Sequence, residues 1–287
     1  MFFVLSAGRS GSRTIARTLS QFRNAVCLHH PKPDLVLEAT AYYYGSYPQD
    51  AIKQVLRASR QPFIGRKIYG EANLQLSLLI PVLHGVFPNA KYVWLTRDGR
   101  DTIASMYYRG WYDDAAQTRI PAYWHQARLQ GDQTGDFSAA AWAALGRFER
   151  CCWLWKRYNL IIEASLASID RSLWQRVQLE YLKAALDELA AFLGLKRGWR
   201  MLVERHNVAL QPVTYWEAWA PEQRAQFEHH CGAEMDRWYP QWRSANGAWQ
   251  LLTKEEPDRP GVLLSAERWL MQEVQRMQRR LKQAASR

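Results

Sequence analysis

Residues 2–19, FFVLSAGRSGSRTIARTL, constrain the fold of this chain more than any other stretch. Four apolar residues, Phe2, Phe3, Val4 and Leu5, read as a buried strand that runs straight into a loop of small and basic residues. Ile15, Ala16 and Leu19 then resume the apolar pattern at helical spacing. Strand, Gly-containing turn and helix in that order form a cradle for an anion, because backbone N–H groups and the positive end of the helix converge there. The nucleoside-triphosphate pattern G-x-x-x-x-G-K-[ST] is not met: counting from Gly8, the next glycine is Gly11, and no Lys-Ser or Lys-Thr follows it. The loop specifies an anion and leaves its identity open.

The rest of the chain repeats the alternation. Strands are expected at Phe2–Leu5, Ala25–Leu28, Phe63–Lys67, Tyr92–Thr96 and Val177–Leu179, with helices at Gln49–Ala58, Ala72–Phe87, Ala139–Tyr158 and Leu182–Leu193. Strands alternating with helices imply a mostly parallel sheet covered on both faces, and in such sheets ligands gather at the carboxyl ends of the strands. The stretch FPNAKYVWLTRDGRDTIASMYYRGWY (87–112) supplies a second anchor at that edge. Arg97 follows a buried strand, and Ser105 stands on the opening turns of the next helix. A fork of donors and a hydroxyl aimed at one spot would hold a phosphate. Paired with the first loop, it suggests one ligand with two separated anionic groups. The aromatic, turn-rich segment 110–138 is expected to pass over the same edge as a lid or a linker.

With these residues in view, the chain resembles the sulfotransferases that use 3′-phosphoadenosine 5′-phosphosulfate (PAPS), over most of residues 1–243. That family's opening loop, P-K-S-G-T-T or P-R-S-G-[ST]-T, is similar to Gly8-Arg9-Ser10-Gly11-Ser12-Arg13-Thr14. Its second motif, R-[DN]-x-R-D-x-x-x-S after a strand, is similar to Arg97-Asp98-Gly99-Arg100-Asp101 through Ser105. RVQLEYLKAALDELAAFLGL (176–195) resembles a third segment, v-x-Y-E-D-L followed by a helix ending F-L-G-L. The stretch from Phe87 to Met106 looks most like the tyrosylprotein and carbohydrate branch. The resemblance implies a three-layer α/β/α sulfotransferase fold related to the P-loop proteins, with a mostly parallel central sheet. It implies that the first loop holds the 5′-phosphosulfate and that Arg97 and Ser105 hold the 3′-phosphate. It also implies nucleotide contacts from Arg205 and Asn207 in a loop preceding the last helix of the domain. The expected product is adenosine 3′,5′-bisphosphate (PAP), and no metal is needed.

Gly8 stands in place of the usual Pro, Arg13 in place of Thr, and Leu179-Glu180-Tyr181 in place of Tyr-Glu-Asp. The first two changes fall where backbone N–H groups bind, while the third removes an aromatic that could touch adenine. Arg9 occupies the place where many members carry Lys, and a guanidinium serves there as an electrostatic stabiliser of the leaving phosphate, not as a proton donor. Lys67, in FIGRKIYGEAN, matches a family lysine that does similar work, or is a solvated lysine at a strand end. In CLHHPKPDLVLEAT the candidate general bases are His30, at the family position of a Glu, and Glu38; the third possibility is neither.

Composition narrows the classes. With 287 residues and 48% hydrophobic content the chain can bury a large core. No apolar run approaches the ~20 residues of a membrane helix, and the start lacks the pattern of a secretory signal. Four cysteines show no metal-ligand spacing, and two of them are adjacent, which argues against a disulfide framework; reduced thiols fit the expected cytoplasmic location. A net charge of +11 admits polyanionic partners. The nucleotide donor and a hydroxyl-bearing acceptor are the expected partners; nucleic acid is not, for want of a recognition motif. A P-loop kinase and a non-catalytic polyanion-binding module are the alternatives. Residues 244–287 are expected to form a linker and a basic amphipathic helix that packs on the domain of residues 1–243.

Overall fold

The computed structural model describes residues 1–63, 65, 67–113, 121–198 and 216–243. In chain order the elements are β1 (Phe2–Leu5), α1 (Ser12–Ser20), β2 (Ala25–His29), α2 (Val36–Tyr43), α3 (Gln49–Arg60), β3 (Ile68–Ala72), α4 (Ile80–Val86) and β4 (Lys91–Thr96). There follow α5 (Gly99–Tyr107), α6 (Ala122–Gln126), α7 (Ala139–Ala144), α8 (Arg147–Ala167), β5 (Trp174–Gln178), α9 (Leu182–Leu193) and α10 (Pro221–Trp238). The five strands form one parallel sheet in the order β2-β3-β1-β4-β5. All four residues of β1 are inaccessible, as a central parallel strand with helices on both faces requires.

Alternate residues of the sheet feed two cores. Phe2, Val4, Val93, Leu95 and Val177 pack against Ile15 and Leu19 of α1 and Leu182, Leu186 and Leu189 of α9. On the other face, Trp94 donates its indole N–H to Asn159 of α8 (3.1 Å), and its ring meets Trp238 of α10 edge-on. From β1 the chain steps outward to β2, and after β3 it passes β1 to reach β4. The helices after β1 and β4 therefore lie on opposite faces, and the two loops diverge at the carboxyl edge. That divergence is where open α/β sheets bind ligands.

Four expected elements differ. The third strand runs Ile68–Ala72 instead of Phe63–Lys67, with Phe63 in a 3₁₀ turn. Its interior residue Glu71 is inaccessible, and it is accommodated because Arg60 grips both carboxylate oxygens (2.9 and 2.9 Å) while Tyr69 and Asn73 donate to them. A carboxylate in a central strand is recognisable only once its partner is known. The helix expected over Ala72–Phe87 begins as strand end and a 3₁₀ turn capped by Asn73, whose side chain accepts from Gln75 N–H. The helix expected over Ala139–Tyr158 is two helices, α7 capped by Ser138 and α8 started at Gly146, whose N–H donates to Glu149. The last strand also begins earlier than expected, at Trp174, and ends at Gln178.

No described helix is long and apolar enough to cross a membrane. The C-terminal segment 244–287 lies outside the described residues.

Candidate functional site

The loop after β1 turns through three special conformations within four residues. Gly8 (φ 78°), Arg9 (φ 52°) and Gly11 (φ 83°) all have positive φ, which glycine adopts without strain and arginine rarely does. Gly11 caps α1 without a side-chain cap, and the first intrahelical bond runs from Ile15 N–H to Gly11 O (3.0 Å). The turn ahead of that bond presents its N–H groups to the loop, as helix N-termini do. The Ser10 hydroxyl folds back onto Gly8 O (3.0 Å) and stiffens the turn.

The loop after β4 supplies the matching half. Arg97 Nη1 donates to Arg9 O (3.0 Å), and Arg9 Nε donates to the Ser105 hydroxyl (3.1 Å) on α5. These bonds account for the strained Arg9 backbone, because its carbonyl and its side chain are both tied to the second loop. Burial, then the charges of Arg109, Arg97 and Arg13, push the Arg9 guanidinium down to about 9. It remains a cation at neutral pH. Three guanidiniums thus act on Arg9 with no carboxylate among the causes, an arrangement that a multiply charged anion would relieve.

The remaining residues of the second loop are structural. Asp98 caps α5 by accepting from Arg100 N–H (2.9 Å), and Arg100 returns a bidentate pair to it. Arg100 also donates to Trp242 O (2.6 Å) and lies 4.2 Å from the Trp216 ring centroid, so it fastens the described closing segment to the loop. Beneath, Glu180 accepts from Asp98 N–H (2.8 Å). Burial is the main cause that pushes the Glu180 carboxyl up to about 7.

Beside the loops lies a cavity of about 240 Å³. Leu74 and Trp111 line it and also flank Gly8, where an added Cβ would lie 3.0 Å from the Trp111 ring and 3.3 Å from Leu74. The cavity therefore opens beside the loop after β1. Trp124 forms another wall, and its ring meets that of His30 edge-on at 5.3 Å. His30 follows β2 with φ 48°, and its N–H bonds Ala72 O (3.2 Å). Burial pushes the His30 imidazole down to about 4, against the opposing charges of Glu71 and Asp34, so the ring is neutral at pH 7. His29 is pushed down to about 3, chiefly by burial, and its Nε2 bonds the Ser12 hydroxyl (3.1 Å).

The sequence-expected residues divide accordingly. Gly8, Arg9, Ser10, Gly11, Ser12, Arg97 and Ser105 meet at the carboxyl edge of β1 and β4. Arg13 and Thr14 continue them on the first turn of α1. Glu38 sits in the first turn of α2, where its charge acts on Lys32. Lys67 is the correction. It stands exposed immediately before β3, at the amino edge, and the five residues of β3 separate it from the carboxyl edge by roughly 16 Å. The expected placement followed from a strand drawn five residues too early. Arg205 and Asn207 lie outside the described residues. Two charged participants were missed. Arg109 stands in the turn just past the end of α5, four residues beyond Ser105, and its charge acts on Arg9. Arg128 gave no signal in the sequence, since it lies in the turn-rich segment.

Among solved structures, a sulfotransferase from Alicyclobacillus acidocaldarius matches this chain with a TM-score of 0.51 at 14% identity, covering 82% of this chain and 92% of that one. The chain has the sulfotransferase fold. Mouse sulfotransferase SULT7A1 complexed with PAP matches with a TM-score of 0.47 at 14% identity, over 87% of this chain and 86% of that one. The sulfotransferase domain from the curacin biosynthetic pathway matches with a TM-score of 0.47 at 15% identity, over 69% and 75%. Neither a family model nor a curated relative matches the chain by sequence. The described residues contain no group of three or more His, Cys, Asp or Glu able to hold a metal ion.

Proposed function

We propose that this protein is a cytoplasmic sulfotransferase that moves a sulfuryl group from PAPS to a hydroxyl or amine of an acceptor. The observation that carries the reading is the junction of the two loops, where Arg97 holds the Arg9 carbonyl and Arg9 holds Ser105. A ligand with anionic groups at two separated points suits that junction. In this assignment residues Gly8 to Thr14 bind the 5′-phosphosulfate, Arg97 and Ser105 bind the 3′-phosphate, and Arg205 and Asn207 add nucleotide contacts. Residues 1–243 form the transferase domain, and 244–287 a basic C-terminal helix with its linker.

The chemistry asked of the protein is mainly positioning and charge stabilisation. The acceptor oxygen attacks sulfur in line and forms the new O–S bond. The bond from sulfur to the 5′-phosphate oxygen breaks, and its electron pair stays on that oxygen, as in phosphoryl transfer. Arg9 stabilises the charge that develops there. The acceptor's proton passes to His30, which is neutral at pH 7 and touches the cavity wall through Trp124. Glu38 is the alternative base.

Calorimetry with PAP and with ATP, each with and without Mg²⁺, tests the reading. PAP is expected to bind at least about tenfold more tightly than ATP and independently of Mg²⁺, since two charge-assisted contacts at the 3′-group have no counterpart in ATP. Equal affinities, or a requirement for Mg²⁺, would favour a kinase.

A further inference from the structure

Three arginines are almost fully buried in the described structure: Arg60 (1% exposed), Arg100 (4%) and Arg128 (7%). The first two each grip a carboxylate through paired bonds, Arg60 to Glu71 and Arg100 to Asp98. Arg128 does not. Its Nη1 lies 2.9 Å from Nδ1 of His125, and its Cζ lies 4.9 Å from the Trp111 ring centroid. No carboxylate among the described residues pairs with it, and the titratable groups that act on it are Tyr112, Cys151 and Tyr158. Burial pushes all three upward, Cys151 to about 12, so at neutral pH none carries a negative charge. A guanidinium removed from water with neither counter-ion nor full hydrogen bonding is costly, and such groups are paired where they are retained.

The Arg128 side chain lines the cavity beside Gly8. Its other walls are mainly apolar, with Leu74, Trp111, Trp124 and Leu154 among them. Gln75 also lines it, and the Gln75 Oε1 atom is buried without a hydrogen-bond partner. The cavity therefore offers aromatic and aliphatic surface, one cation and one amide oxygen. Its volume of about 240 Å³ lies just below the usual range for small-molecule sites.

We infer that this cavity takes a small, largely apolar acceptor bearing a carboxylate, which Arg128 binds while the acceptor's hydroxyl end lies beside Gly8 and the anion loop. The inference rests on the sulfotransferase reading for the word acceptor; the carboxylate site itself does not. The guanidinium fork matches a planar carboxylate, and among the described residues only Nη1 has a side-chain hydrogen-bond partner. Gln75 Oε1 accepts from a second donor group where the ligand has one.

The test uses para-hydroxyphenylacetate and its methyl ester, which share ring and hydroxyl and differ in charge. Each is titrated calorimetrically into the full-length protein, free and saturated with PAP. The acid is expected to bind about ten- to a hundredfold more tightly than the ester, the range of one charge-assisted contact. In Arg128→Gln the difference should close while ester binding is retained, and Arg128→Lys should keep part of it. If Arg128→Gln does not fold, as circular dichroism would show, the comparison in the parent protein and in Arg128→Lys decides. Equal binding of acid and ester by the parent, or binding of neither, overturns the inference. Acid preference in a protein that does not bind PAP keeps the carboxylate site and removes the transferase reading.

Discussion

Arg97 contributes to the site twice, through its charge and through its bond to the Arg9 carbonyl, and both are lost in Arg97→Ala. That variant is expected to weaken PAP binding by ~1.5–3 kcal/mol, with Ser105→Ala costing less, because a neutral hydroxyl contributes less than a charge-assisted fork. Calorimetry on both variants checks the order; unchanged binding in Arg97→Ala would remove the 3′-phosphate from this position. His30→Gln should leave PAP affinity intact and lower turnover on the order of 10²–10⁴-fold if His30 is the base. Since burial holds the imidazole near 4, the acidic limb of kcat/KM in the parent should lie well below the 6.5 of an ordinary histidine: activity persists as pH falls to about 5 and is lost near 4. A limb near 6.5 would mean that another group takes the proton. Glu180 behaves in the opposite sense. Its carboxyl is raised to about 7 in the folded chain against ~4.3 when unfolded, so the native state holds the proton more tightly. The resulting stabilisation is full below pH ~4.3 and is lost as pH rises through about 7, by up to ~4 kcal/mol. Glu180→Gln keeps an acceptor for Asp98 N–H and should flatten that slope in urea titrations run at several pH values.

At the scale of elements, the strand–loop–helix unit at the start of the chain depends on backbone that only glycine takes freely. Gly11 has φ 83° and faces Leu179, whose Cδ1 would lie 2.6 Å from an added Cβ. The leucine tip can move aside, so the conformational cost dominates, and Gly11→Ala should destabilise by about 1–2 kcal/mol. The same variant should weaken PAP binding, because re-forming the turn with negative φ re-aims the N–H groups of α1. Thermal unfolding and calorimetry on one sample separate the two effects. Gly99 illustrates the other use of glycine: its Cβ would fall 2.9 Å from the Trp155 ring, so α5 can lie close to α8 while its first turn stays over the β4 edge. The β3 unit is held differently, by the buried Arg60–Glu71 pair, which also fastens Pro33 O in the loop that carries His30. Arg60→Ala would leave a buried carboxylate without its counter-ion, with an expected cost of about 3–5 kcal/mol.

For the whole molecule, ligand and fold are linked through the sheet edge. PAP bound at the junction of two loops on adjacent central strands should stabilise the domain by about 2.7 kcal/mol at a concentration of 100 Kd. In a chain of this size that is a rise in Tm of roughly 5–10 °C. Differential scanning calorimetry with PAP, and with ATP plus Mg²⁺ as the control, reads it. A shift of similar size with both nucleotides would mean that the anion sites do not discriminate the 3′-phosphate.

The local parts of this protein were written in adjacent residues. The strand Phe2–Leu5, the glycines of the first loop, the helix after it, and Arg97 with Ser105 after a buried strand all follow from patterns shorter than about twenty residues, and they placed both loops at one sheet edge. α9 was legible to its last residue because its apolar spacing and its terminal Gly194 in the left-handed region both act within one helix. What required the tertiary structure were properties that belong to pairs of residues far apart in the chain. Glu71 reads as a polar residue until Arg60 is placed against it, and for that reason β3 was drawn too early and Lys67 was set at the wrong edge of the sheet. His30 reads as an ordinary histidine until burial among Trp124, His29 and the β2–β3 edge lowers its basicity. Arg128 reads as one of many surface cations, and only the packing of the segment that carries it against Trp111 and Tyr158 removes it from water with no carboxylate partner among the described residues. Charge, in a sequence, is a property of a residue; its free energy is set by the neighbours and the solvent that the fold provides.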